Sequence, residues 1–206
     1  MKKEATRPRG RPRTFDQDDV LERAMMTFWA KSYTGASLDD LTADMGINRP
    51  SLYATFGDKH ALFMATIDHY AATIGNRPIA ALQDEPDLRK SVRAFLDAVV
   101  ENTSGAGHPR GCLIGCVVAD CAENDPEVRT KLAAVMAETD AALTARYQQA
   151  QQDGQLAHAA DIDALAMLTS SVMHGIAVRA RAGGTRAQLK QLARAAENFL
   201  LASAAA

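Results

Sequence analysis

Aromatic residues make up only 5% of the 206-residue chain, and no stretch alternates apolar and polar residues for long enough to read as a strand. Sheets lean on aromatic and β-branched side chains, so their scarcity beside abundant Ala, Leu, Met and Val points to helices. No run of about 18 apolar residues occurs, which argues against a membrane-spanning helix. The opening Met-Lys-Lys-Glu-Ala-Thr-Arg-Pro-Arg-Gly has no apolar segment behind its positive charges, which argues against a secretory signal. Cysteine is rare as well: Cys112, Cys116 and Cys121 form one odd-numbered cluster, which opposes a disulfide framework and fits a reducing, cytoplasmic compartment.

Charge is present but unevenly placed. The formal net charge is -2. Residues 1–15 nevertheless hold Lys2, Lys3, Arg7, Arg9, Arg11 and Arg13 against Glu4, a net +5, so the rest carries -7. A basic arm on an acidic body predicts a polyanionic partner for the arm alone. With Pro8, Gly10 and Pro12 and no hydrophobic period, residues 1–14 are expected to be a flexible arm.

Beyond the arm the pattern is helical throughout, about nine helices in all. A first helix over about 16–32 places Val20, Leu21, Ala24, Met25, Phe28 and Trp29 on one face. Tyr33-Thr34-Gly35 breaks it, and Ser37-Leu38-Asp39-Asp40 reads as a capping box for a short helix over 38–45. Gly46 suits a left-handed helix end. Asn48 then caps another short helix, 49–55, which tolerates Pro50 in its first turn. Phe56-Gly57 closes it, Asp58 caps a helix to about Ile74, and Gly75-Asn76-Arg77-Pro78 ends that one. Further helices are expected over about 87–103, 111–122, 126–152, 162–182 and, after a Thr185 cap, 186–203.

Two short helices joined by a tight turn and packed on a longer one are what a helix-turn-helix requires, the second standing proud enough to enter a major groove. Leu38, Leu41, Met45, Ile47, Leu52 and Phe56 form the expected buried side. Arg49, Ser51, Tyr53 and Thr55 are left to face outward. Arg49 has a planar fork that can pair with guanine, whereas the Ser51 hydroxyl, Tyr53 phenol and Lys59 ammonium suit phosphate oxygens, which set register rather than sequence. Ser37 and the amides behind it can hold phosphate in the same way. Tyr53 also reads as a core aromatic with its hydroxyl at the surface, and Lys59 as a solvated charge.

The run Ser37-Leu38-Asp39-Asp40-Leu41-Thr42, with Asn48-Arg49-Pro50-Ser51-Leu52-Tyr53-Ala54-Thr55-Phe56-Gly57-Asp58-Lys59, resembles the DNA-binding domain of the TetR family of bacterial transcription regulators. The likeness covers about residues 16–70. It implies an all-α protein with a three-helix helix-turn-helix domain at 15–75 and an effector-sensing and dimerisation domain at 76–206. It also implies a DNA-contacting set of Arg49, Pro50, Ser51, Tyr53, Thr55 and Lys59 with Ser37, a homodimer on a near-palindromic double-stranded operator, and release by an unidentified small-molecule effector. No cofactor, metal or membrane partner is expected. Arg9-Gly10-Arg11-Pro12 resembles the core of an AT-hook, in which Arg9 and Arg11 enter a narrow minor groove; the alternative is a solubilising tail.

The resemblance further implies a four-helix dimer interface over about 160–203. Leu165, Leu168, Val172 and Ile176, then Leu189, Leu192, Ala196, Phe199 and Leu200, supply apolar stripes, with Ala164, Ser171, Gly175 and Ala193 permitting close approach. The same stripes fit an intrachain core. Met167 and Met173 fill core gaps or line a promiscuous pocket.

Gly111-Cys112-Leu113 at the start of the helix over 111–122 resembles a TetR subgroup in which a cysteine there responds to electrophiles or oxidants. A thiol in a first helical turn beside Arg110 and His108 would feel positive potential and ionise more readily. Cys112 and Cys116 fall on one face, Cys121 on the opposite side. The alternatives are three small buried apolar residues, or a metal site completed by His108. Two other functions stay open at this stage. One is an enzyme with Cys112 as nucleophile and His108 as base, which lacks a third group; the other is an architectural DNA-binding protein without a ligand.

Overall fold

In a computed structural model the chain is described from residue 16 to residue 202, and every regular element among these residues is helical. The order is α1 (Gln17–Gly35), α2 (Leu38–Met45), α3 (Arg49–Phe56), α4 (Lys59–Ala72), α5 (Arg77–Gln83) and α6 (Leu88–Ser104). A π-helix (Ile114–Val118) running into the one-turn α7 (Ala119–Cys121) follows, then α8 (Pro126–Gln152), α9 (Ile162–Arg181) and α10 (Arg186–Ala202). The basic arm with Arg9 and Arg11 lies outside the described residues. No helix among them is long and apolar enough to cross a membrane.

Local chemistry sets most helix starts. The side chains of Asp16, Ser37, Asn48, Asp58, Asp87, Asp125 and Asp161 each accept from a backbone N–H of the first turn they precede. At Ser37 the capping box is complete: Asp40 N–H donates to Ser37 Oγ at 3.0 Å, and Ser37 N–H donates to Asp40 Oδ2, also at 3.0 Å. Lys31 Nζ adds an ion pair to Asp40 at 2.6 Å. With Lys31 and Ser37 both donating to it, the Asp40 carboxyl is held well below its usual range. Gly46 ends α2 at φ +67°, the left-handed conformation that a β-carbon disfavours.

Three departures from the sequence reading have visible causes. The break in α1 falls at Ser32, whose φ of 63° interrupts the helix before one further turn reaches Gly35. Helix α5 occupies a stretch read only as a terminating turn, because Pro78 sits in its first turn, where a missing N–H costs nothing. The expected α-helix over 111–122 begins later and is wound as a π-helix: Ala119 N–H donates to Ile114 O, an i to i+5 bond.

Two apolar clusters divide the molecule. The first joins α1, α2, α3 and α4 through Val20, Met25, Phe28, Trp29, Leu41, Leu52 and Phe63, and it continues through Leu113, Ile114, Val117 and Val118 of the π-helix to Val128 of α8. Phe28 meets Phe63 edge-on at 5.0 Å. Burial of side chains of this size contributes about 1.5–3 kcal/mol each. The second cluster joins α6, the C-terminal half of α8, α9 and α10 through Phe95, Leu96, Leu143, Tyr147, Leu165, Ile176, Leu189 and Leu200. The π-helix is thus built into the core of the N-terminal helices although it stands forty residues beyond them in the chain.

Candidate nucleic-acid interface and sensing cavity

Leu52 is the single fully buried residue of α3. Leu38, Ile47 and Phe56 pack partly against the core while Leu41 and Met45 are sealed in it, as the apolar pattern requires. Arg49, Pro50 and Tyr53 are exposed, Tyr53 at 47%, and Ser51 and Thr55 are half-buried. The Tyr53 phenol therefore stands on the open face of α3 instead of in the core. Arg49 Nη2 donates to Asp39 Oδ1 of α2 at 2.8 Å, so the two helices are tied across the turn by the guanidinium expected to read bases. Ser37 Oγ donates to Asp40 Oδ2 at 2.7 Å and is already engaged in its capping box.

Lys59 opens α4, half-buried, with its ammonium 4.5 Å above the Tyr33 ring. Burial lowers its pKa from the ordinary lysine value, partly offset by the neighbouring Cys121. Tyr33 is shifted upward, by burial first and then by Asp58, Asp125 and Cys121. The third cysteine therefore faces the start of α4, a contact that its helical phase relative to Cys112 did not reveal.

Polar and charged side chains join α4 to α8 and its cap at two places. His60 Nε2 lies 2.8 Å from Asp125 Oδ2 at one end, and Lys131 Nζ lies 2.7 Å from Asp68 Oδ1 further along. Asp125 is held below the usual carboxylate range, chiefly by the Val128 amide that it caps, then by His60. Neither pair is legible in sequence, because the partners are over sixty residues apart.

Behind α4 lies a cavity of about 150 Å³. Tyr70 and Ala71 of α4, Val99 and Asn102 of α6, Cys112 and Ile114, Thr139 of α8 and Met173 and His174 of α9 contribute to its wall, which is mostly apolar. Its polar side chains include Asn102, Cys112 and His174, with Glu138 as the one acidic residue of the wall. Burial raises the Cys112 thiol pKa above the ordinary value, burial pushes the Tyr70 phenol well up, and burial lowers His174. Met173 thus lines a pocket, whereas Met167, read as a core filler or pocket residue, is 64% exposed.

The expected ionisation of Cys112 is corrected here. Arg110 turns away, donating from Nε to Ala180 O at 3.0 Å and from Nη2 to Gly184 O. His108 stacks on Trp29 at 4.9 Å and hydrogen-bonds Pro109 O through Nδ1. No cation compensates for burial, so the thiol is stabilised in its neutral form. The Tyr70 hydroxyl donates to its sulfur at 3.3 Å, and the Ile114 and Gly115 amides also approach it. Cys116 does not share this wall; its thiol points to Ala177 O of α9 at 3.9 Å, beneath Gly111. Gly111, at φ +89°, is required there, because a β-carbon would lie 2.9 Å from the Cys116 sulfur.

The apolar stripes of α9 and α10 divide between two faces. Leu165, Ile176, Leu189, Ala193 and Leu200 belong to the chain's own core, which corrects their placement in an interface. Leu168 (48%), Val178 (53%) and Phe199 (70%) stay exposed with Met167.

A short capped helix with an open polar face, next to a helix that also walls a buried chamber, defines a helix-turn-helix DNA-binding regulator. Residues 20–66 match the family described as bacterial regulatory proteins, tetR family, and residues 89–196 match the tetracyclin repressor-like C-terminal domain. The chain belongs to the TetR family of transcriptional regulators. It is 29% identical to the HTH-type transcriptional repressor ComR of Escherichia coli K12 over 90% of its own length and 89% of that protein's. A cysteine mutant of the TetR family regulator CifR, complexed with 26-base-pair double-strand operator DNA, superposes with a TM-score of 0.85 at 34% identity, covering 91% of this chain and 98% of that one. A TetR regulator from Rhodococcus sp. RHA1 matches at 34% identity and a TM-score of 0.60, over 90% and 98% of the two chains. Such regulators work as dimers on double-stranded DNA.

Proposed function

We propose that the chain is a cytoplasmic repressor that binds a near-palindromic operator as a homodimer and is released when a small, largely apolar, non-anionic molecule enters the cavity behind α4. The single observation that carries this reading is that Tyr70 and Ala71 of the cavity wall belong to the helix that Lys59 opens, directly after α3. An occupant therefore touches the element that positions the recognition helix. The wall includes no lysine or arginine, so an anion would find no counter-charge, and the volume is below the roughly 300–1,000 Å³ of drug-sized sites.

In this reading residues 1–14 form the arm, 15–75 the DNA-binding unit and 76–206 the sensing and dimerisation unit. Arg49 reads bases, and Ser51, Tyr53, Lys59 and Ser37 hold phosphates, with Pro50 and Thr55 against the duplex. Arg9 and Arg11 add attraction from the arm. The exposed Met167, Leu168, Val178 and Phe199 face the second copy, which sets two α3 helices about 34 Å apart, one turn of duplex. The polar contacts between α4 and α8 carry a displacement of either helix to the other. Repression agrees with the names of ComR and of BdcR of Escherichia coli K12, a repressor 30% identical over 62% of this chain and 63% of its own.

The test is selection of a duplex from a random library, followed by gel shift with small neutral apolar compounds. Sequence-specific binding that weakens on adding one of them supports the reading; uniform affinity across DNA sequences overturns it. A second reading is favoured by the position of Cys112 on the cavity wall: covalent modification of its thiol replaces or accompanies reversible occupancy.

A further inference from the structure

The sulfur of Cys112 has one side-chain partner, and that partner belongs to the DNA-binding half of the molecule. Tyr70 Oη donates to Cys112 Sγ at 3.3 Å across 42 residues of chain. The phenol is buried, at 3% exposure, and both residues line the cavity. On its other side Tyr70 meets Trp29 of α1 edge-on, ring centres 5.3 Å apart at 89°, and Trp29 in turn stacks on His108 just before the cysteine. Arg181 Nη1 donates to Trp29 O at 3.0 Å and to Arg110 O at 3.2 Å, closing the ring of contacts from α9.

We infer that Tyr70 is the positioning residue through which the chemical state of Cys112 reaches the recognition helix. This rests on the second reading above, that modification of Cys112 releases DNA. A thiol accepts the phenol's hydrogen bond; a sulfur carrying a new carbon is a poorer and more crowded acceptor. The buried hydroxyl then loses its partner, and a buried polar group without one is costly enough to drive a rearrangement. Tyr70 sits on α4, so the rearrangement is passed along the helix that Lys59 opens. The Ile114 and Gly115 amides at the sulfur belong to the π-helix and stay with Cys112, which leaves the Tyr70 bond as the polar link from the sulfur itself to the DNA-binding half.

N-ethylmaleimide is a suitable probe. The Cys112 sulfur adds to one alkene carbon and the thiol proton ends on the other, so the ring double bond becomes a single bond and nothing is oxidised. In a Cys116→Ser, Cys121→Ser background Cys112 is the single thiol. Operator affinity is measured before and after labelling, with labelling confirmed by mass, in that background and with Tyr70→Phe added. The expected result is at least about a tenfold loss of affinity on labelling, within the usual range for coupled sites, reduced to less than about threefold with Tyr70→Phe.

Two further readouts follow the link, the first of them responding to the hydrogen bond and not to packing. Removing the phenol donor should move the pH profile of the labelling rate to higher pH, because that bond favours the thiolate. Trp29 is the sole tryptophan, so its emission should change on labelling with Tyr70 present and change less with Tyr70→Phe. Equal loss of affinity with and without the phenol overturns the inference while leaving sensing by Cys112 in place. Full labelling with no loss of affinity in the Tyr70 background removes the sensing reading itself. Should Tyr70→Phe fail to fold, unchanged Trp29 emission on labelling the parent overturns the inference unaided.

Discussion

Arg49 Nη2 lies 2.8 Å from Asp39 Oδ1, so the guanidinium assigned to base readout is held by a carboxylate of the neighbouring helix while DNA is absent. Both side chains are more than half exposed, and an exposed pair of this kind contributes about 0–1 kcal/mol. The pairing orients the fork without trapping it. Arg49→Ala should flatten the preference among operators substituted at the contacted base, by about 1–3 kcal/mol in gel-shift competition. Asp39→Asn frees the fork and removes a negative charge from the DNA face, so operator affinity should rise by up to about fivefold. Intact preference in Arg49→Ala would show that another residue reads the sequence.

Lys59 acts through charge at the phosphate backbone. Lys59→Ala should weaken binding to all duplexes alike and reduce the slope of log affinity against log salt by about one unit. A slope equal to that of the parent would place its ammonium away from DNA, on the Tyr33 ring where it rests in the free chain.

Glu197 is fully buried among Arg89, Arg93 and Arg194, with Arg93 donating to it at 2.8 and 3.0 Å. These bonds hold its carboxyl below the usual glutamate value, the Arg93 bond being the largest cause. The native state therefore binds this proton more weakly than the unfolded chain does. The resulting stability is fully present above the unfolded value of about 4.3 and is lost as pH falls through the depressed native value. Glu197→Gln should cost about 2 kcal/mol at pH 7. Thermal melts at descending pH should show the gap to the parent closing in the acid range; a gap constant down to pH 3 contradicts the assignment.

Phe199 and Met167, at 70% and 64% exposure, are the most exposed large apolar side chains described. Phe199→Glu should convert the protein to a monomer in sedimentation without lowering its melting temperature below that of a monomer. Operator affinity should fall by about 100-fold or more, since the second half-site no longer binds as part of the same particle. An unchanged dimer would locate the interface elsewhere.

What could be read from the sequence was local. The caps at Ser37, Asn48 and Asp58, the left-handed Gly46 and the exposed Arg49 and Tyr53 of α3 follow from hydrogen bonds and helical phase within a few residues, so they stand where the pattern placed them. Helix α5 escaped because its proline looks alike as a stop and as a first-turn residue. The stripes of α9 were ambiguous for a related reason. A helix with one apolar face toward its own core and another toward solvent has no sequence mark for which is which, and only packing against α6 and α8 sends Leu165 and Ile176 inward while leaving Met167 and Val178 outside. The setting of Cys112 was decided further away still. Arg110 is drawn off by carbonyls of Ala180 and Gly184, about seventy residues on, and a tyrosine 42 residues earlier supplies the donor at the sulfur. Sequence by itself determined most of the helices and the exposed position of Arg49 and Tyr53 on α3; the fold decided what surrounds the thiol, because charge and solvent at a buried atom are set by neighbours in space.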